Sequence, residues 1–105
     1  MKGVNPKIVF FQLLKDANLP IPVTEYRFSP DRNWRADYCW VDHLLILETE
    51  GAIWTNGRHT RGSGFLADIH KYNSMTVMGY RLIRVPTPDL CKQSTLDLIK
   101  KIIVQ

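Results

Sequence analysis

Apolar residues recur along this chain in two spacings, one helical and one extended, and their succession predicts an α/β fold. Asn5 followed by Pro6 reads as a helix cap and first helical residue, and Phe10, Leu13, Leu14 and Ala17 recur at i, i+3, i+4 and i+7. Asn18 and Pro20 stop this helix. "PVTEYRF" reads as a strand bounded by Pro22 and a turn at "SPDRN", and "WRADYCWV" and "HLLILETEG" read as two further strands joined as a hairpin through Asp42. "AIWTNGRHTRGSG" is loop-like, with four glycines from Gly51 to Gly64 marking backbone that must bend. From Phe65 the pattern turns helical, with Phe65, Ile69, Tyr72 and Thr76 on one stripe and Gly79 placed to end it. "YRLIRVPT" is a fourth strand closed by Pro86 and Pro88, and Ser94 with Asp97 resembles a capping box opening a last helix. The order is α, β, β, β, α, β, α, with no repeat or linker, so residues 1–105 are expected to form a single domain.

The third strand ends unusually. "HLLILETEG" is strongly apolar and yet finishes on Glu48 and Glu50, which share a strand face with Ile46 because side chains two apart point the same way. A carboxylate is too costly to bury ionised without a partner. The pair therefore requires a cation, a basic side chain or water. Asp37, on the neighbouring strand, joins them only if the hairpin register permits. Three such carboxylates would form a hard, oxygen-rich site suited to Mg²⁺ or Mn²⁺, which can activate water and screen a phosphodiester transition state. The simpler alternative is that Glu48 or Glu50 pairs with Arg35, Arg58 or Arg61.

Composition adds little of its own. The net charge is +4 and the pI about 9.3, a modest basic excess that favours a polyanionic partner but is also ordinary for a soluble domain. Cys39 and Cys91 are too far apart in sequence for a C-x-x-C site and read as buried thiols in a reducing compartment. Neither a signal peptide nor a run long enough to span a bilayer is evident, so a cytoplasmic protein with no membrane association is expected.

Basic residues gather elsewhere. The loop "NGRHTRGSGF" places Arg58, His59 and Arg61 among glycines directly before a helix, a setting in which arginines and a helix N-terminus can hold phosphate. His59 is a candidate general base or phosphate contact, with an exposed loop imidazole as the alternative. Lys71 stands three residues from Asp68; it either stabilises developing negative charge or forms a surface pair with that aspartate. Trp40 reads as core, whereas Trp34 and Trp54 flank the acidic strands and either pack or stack on bases.

Taken in order, "WRADYCWVDHLLILETEG", the Gly/His/Arg loop and "DIHKYNSMTVMGYRLIRV" resemble the PD-(D/E)XK nuclease superfamily, and more narrowly its very-short-patch-repair-type endonuclease branch with small relatives in bacteria and phages. The resemblance covers roughly residues 25 to 86. It implies a restriction-endonuclease-like αβββαβ core, with a mixed central sheet flanked by helices and an extra C-terminal helix. It also implies a metal-dependent DNA endonuclease. Asp37 corresponds to the metal-binding aspartate and Glu48 to the acid of (D/E)-x-K, while Glu50 stands where the motif has lysine. Either Glu50 is itself a ligand and Lys71 or His59 supplies the basic role, or the site no longer cuts and the protein only binds nucleic acid or, if phage-encoded, a host protein.

The expected site is therefore Asp37, Glu48 and Glu50 as metal ligands, Lys71 and His59 as catalytic partners, and Arg58, Arg61, Lys71 and Trp54 as DNA contacts. With so little surface for reading sequence, activity on nicked or branched DNA is expected, or a homodimer that enlarges the contact.

Overall fold

The structure, a computed structural model, describes residues 3–51 and 63–104. Helix α1 (Pro6–Asp16) begins as expected, with the Asn5 side chain accepting the Lys7 N–H at 2.9 Å. It ends where Asn18 turns left-handed at φ +57° and the Leu19 N–H donates back to the Leu14 carbonyl at 2.8 Å. Strands β1 (Val23–Arg27), β2 (Arg35–Trp40) and β3 (Leu45–Glu50) follow as an antiparallel meander. The β2–β3 hairpin turns through a short 3₁₀ segment, Val41–His43, and Leu44 at φ +48°. Helix α2 (Ser63–Val77) returns the chain so that β4 (Arg81–Pro86) lies parallel to β3. Gly79 makes that turn at φ +89°, a left-handed conformation that costs glycine nothing. Helix α3 (Gln93–Ile103) closes the order.

The sheet runs β1-β2-β3-β4 and is mixed, three antiparallel strands with a parallel fourth. Helices cover both faces, as the α/β expectation required. On one face Phe10 and Leu14 of α1 and Leu96 and Ile99 of α3 pack on Leu45, Leu47, Ile83 and Val85. On the other, Met75 of α2 meets Cys39 and Ile46. Strand β3 is thus buried on both sides, which is why its Leu45–Ile46–Leu47 run carries no polar alternation. Among the described residues no helix is long and apolar enough to cross a membrane.

Two local expectations are corrected. The buried stripe of α2 is offset from Ile69 and Thr76, which are exposed; Met75 goes into the core, with Lys71 and Tyr72 half-buried beside it. The helix rolls because the sheet face beneath it ends in acids and needs polar groups from above. Helix α3 starts before Ser94, at Gln93, and no capping box forms; instead the Thr95 hydroxyl, itself buried, donates to the Asp89 carbonyl at 2.7 Å.

Phe10 has no exposed surface and lies edge-on to Tyr38 and Trp40, with centroid distances of 5.2 and 6.5 Å. Truncation leaves a cavity between α1 and the sheet. Phe10→Ala is expected to cost about 3–5 kcal/mol in urea unfolding, the range for large aromatic truncations in cores.

Candidate active site

The hairpin register settles whether the acids can meet. Tyr38 pairs with Leu47, Cys39 with Ile46 and Trp40 with Leu45, so the next step along β2 and β3 brings Asp37 opposite Glu48. Side chains take over from the backbone ladder there. The Asp37 N–H donates to Glu48 Oε2 at 2.7 Å, while Asp37 Oδ2 accepts both the Thr49 N–H at 2.9 Å and the Thr49 hydroxyl at 3.0 Å. Each carboxylate is held by the other strand. Bonds from backbone N–H to a carboxylate are charge-assisted and short, so both acids are fixed in place.

Glu48 is 3% exposed, and its other oxygen, Oε1, accepts from Lys71 Nζ at 2.6 Å. Lys71 comes from α2, so the helix that covers Ile46 also supplies the counter-charge. Its partner is Glu48, not Asp68. Burial nevertheless lifts the Glu48 carboxyl above its ordinary value; hydrogen bonds from Lys71 and the Asp37 N–H pull the other way without overcoming it, and the charge of Asp37 adds to the rise. A buried carboxylate so perturbed, bonded to a lysine at a strand end, makes Glu48 a candidate functional acid.

Glu50 is not brought to this pair. Two residues further along β3, its Oε1 accepts the Tyr72 hydroxyl at 2.8 Å and Arg84 Nε at 2.7 Å. The Arg84 guanidinium also lies 4.5 Å from the Tyr72 ring centroid. Burial raises the Tyr72 hydroxyl, and the hydrogen bond and charge of Glu50 raise it further, so it remains a donor. Among the described residues no three His, Cys, Asp or Glu side chains converge into one group that could hold a metal. The expected trio is therefore a pair with a neighbour, because strand geometry carries Glu50 one pleat beyond the junction, into reach of α2 and β4. Among the described residues the two glutamates pair with Lys71 and Arg84 and not with Arg35; Arg58 and Arg61 lie outside the described residues.

In fold the chain is similar to the catalytic domain of the homing endonuclease I-Bth0305I. The match has a TM-score of 0.66 and covers 97% of this chain and 96% of that one, at 16% identity. No protein-family model and no curated protein matches the sequence. At that identity the likeness is one of fold: a mixed four-stranded sheet flanked by helices, in the architecture of a nuclease catalytic domain.

The donor set of Asp37 and Glu48 fits a hard divalent cation. Mg²⁺ is usually held by one or two carboxylates, with water and substrate phosphates completing its shell. Trp54, Arg58, His59 and Arg61 lie outside the described residues, as does most of the glycine loop. Trp34 packs, stacked on Phe28 at 6.3 Å, and Trp40 is core, its indole N–H donating to the Pro20 carbonyl. Thr49, Tyr72 and Arg84 are the members that sequence reasoning missed. Only the parallel register of β3 on β4, which sets Arg84 beside Glu48, makes the last one visible. Cys39, its thiol pushed up to about 11 by burial, is chemically quiet.

The raised Glu48 carboxyl has a sign. The folded protein holds this proton more tightly than the unfolded chain, so its contribution to stability is fully present below the ordinary value of 4.5 and is lost as pH rises through the higher folded value. Urea unfolding between about pH 4 and pH 8 is expected to show wild type losing stability relative to Glu48→Gln as the pH rises. A flat or opposite trend would mean that the Lys71 ion pair outweighs burial.

Proposed function

We propose that this protein is a metal-dependent DNA endonuclease of the PD-(D/E)XK type, allied to the very-short-patch-repair branch. The observation that carries the reading is the Asp37–Glu48 junction with Lys71 bonded to Glu48, at the end of β3 in a fold similar to that of a homing endonuclease catalytic domain. Mg²⁺ or Mn²⁺ held by Asp37 and Glu48 would act as Lewis acid and lower the pKa of bound water.

The chain's own groups do the rest. Thr49 and the Asp37 N–H hold the two carboxylates in one arrangement, so little reorganisation is needed when substrate arrives. Lys71 puts a fixed positive charge beside Glu48 and offers its remaining N–H donors to a phosphate oxygen that gains charge as the P–O bond breaks. It thereby takes the part of the motif lysine that Glu50 displaces. Glu50 orients Tyr72 and Arg84 at the rim of the site. Arg58, Arg61, His59 and Trp54 are assigned to the DNA side of the same site on sequence grounds. A chain this small favours a structural feature of DNA, such as a nick or branch, over a long recognition sequence, unless a homodimer extends the contact.

One observation favours the rival reading of a non-catalytic binding module: Glu50 is tied to Tyr72 and Arg84 instead of joining the pair. The two readings part on metal. As a nuclease, the protein should melt at higher temperature with Mn²⁺, because a ligand that binds only the folded state stabilises it. It should also cut labelled nicked, branched or duplex DNA with Mg²⁺. Glu48→Gln, folded by circular dichroism, is expected to lose at least about 10²-fold in cleavage rate, the scale on which a charge-stabilising group acts. No cleavage of any DNA by wild type, or cleavage undiminished in Glu48→Gln, would defeat the proposal.

A further inference from the structure

A second charged feature lies at the same end of the sheet. Arg27 and Arg35 are register partners across β1 and β2, so two like charges face one another on adjacent strands, an arrangement that destabilises a sheet. Arg32, in the connection between them, adds a third, and among the described residues none of the three forms an ion pair with a carboxylate. The cluster is ordered nonetheless. Arg27 Nε donates to the Arg32 carbonyl at 3.2 Å, and the Arg32 guanidinium lies 5.2 Å from the centroid of the Trp34 ring, which is itself stacked on Phe28. A local rule is broken with no gain inside the fold, which is the mark of a site kept for something outside it.

Arg32 and Trp34 line one wall of an open groove of about 360 Å³, with His70, Asn73 and Ser74 of α2 opposite and Asp31 at the edge. On α2 those positions share one stripe, and Lys71 and Tyr72, which hold Glu48 and Glu50, lie on the adjacent one. On β2, Arg35 precedes Asp37 by two residues. Through β2, Arg35 thus ties the arginine cluster to the carboxylate junction, whereas Arg27 and Arg35, which alternate with Tyr26, Phe28, Trp34 and Ala36 of the α2-side cluster, do not line this groove.

We propose that Arg27, Arg32 and Arg35 grip the sugar-phosphate backbone of the DNA duplex beside the scissile bond. The inference rests on the nuclease reading and adds a binding surface that Arg58, Arg61 and Trp54 do not cover. Guanidinium groups suit it, since each can fork onto two phosphate oxygens, and the Trp34 stack orients Arg32 before DNA arrives. Contacts of this kind position the duplex and carry no sequence information.

The test is the salt dependence of binding to a short labelled duplex, measured in EDTA and in Mg²⁺. Arg32→Ala should weaken binding to unrelated sequences alike and lower the slope of log K against log salt by about 1, and Arg27→Ala with Arg35→Ala by about 2. Lys100→Ala with Lys101→Ala removes the same charge from exposed positions in the last turn of α3 and should leave the slope unchanged. Arg35→Ala should melt no lower than wild type, since it relieves a like-charge pair. Wild-type slopes in the hairpin variants, or equal losses in the α3 variant, would overturn this inference alone. A wild type that binds no duplex would remove the nuclease reading and this inference together.

Discussion

Keeping the Glu48 carboxylate beneath a helix is the constraint on which the surrounding structure depends. A charge at 3% exposure requires partners for each oxygen, and both are supplied from outside its own strand. One is the Asp37 N–H, which is available only because the β2–β3 ladder gives way to side chains at that step. The other is Lys71, which reaches Glu48 only because α2 is rolled so that Met75 enters the core and Lys71 stands over the strand end. Helix orientation, hairpin register and the apolar run of β3 are thus consequences of one another.

Charge is arranged around that centre in layers. Asp37 and Glu48 form the negative point and Lys71 the first positive one. Beyond them Glu50 holds Arg84 against Tyr72, and beyond that the β1–β2 end presents arginines that have no carboxylate partner among the described residues. An arrangement that is acidic at its centre and basic at its rim is the one that the proposed function calls for. The interior away from this end is apolar, so the scaffold that carries the site does not compete with it for charge.

Much of the scaffold was readable in the amino-acid order. The N-cap at Asn5, the left-handed glycine at position 79 and the unbroken apolar run of β3 each have a local cause, and each appears where that cause puts it. The errors fell where two elements negotiate. The roll of α2 was misjudged because the face beneath it is polar at one end, and the start of α3 because Thr95 bonds backward to Asp89 in place of a forward capping box.

The same division holds for the site. Asp37, Glu48 and Lys71 were legible as candidates from residue type and position, since a carboxylate buried at the end of an apolar strand needs a partner. Which acids meet was a matter of register, and register depends on pairing between strands that no single stretch of sequence contains. Glu50 was drawn away by Tyr72 and Arg84, residues 22 and 34 positions distant, brought together by the parallel crossover from β3 to β4. By itself the sequence determined the elements and the supply of charge, because those follow from local periodicity and side-chain chemistry. Only the tertiary structure decided the pairing, because a buried charge takes the partner that folding carries within hydrogen-bond reach.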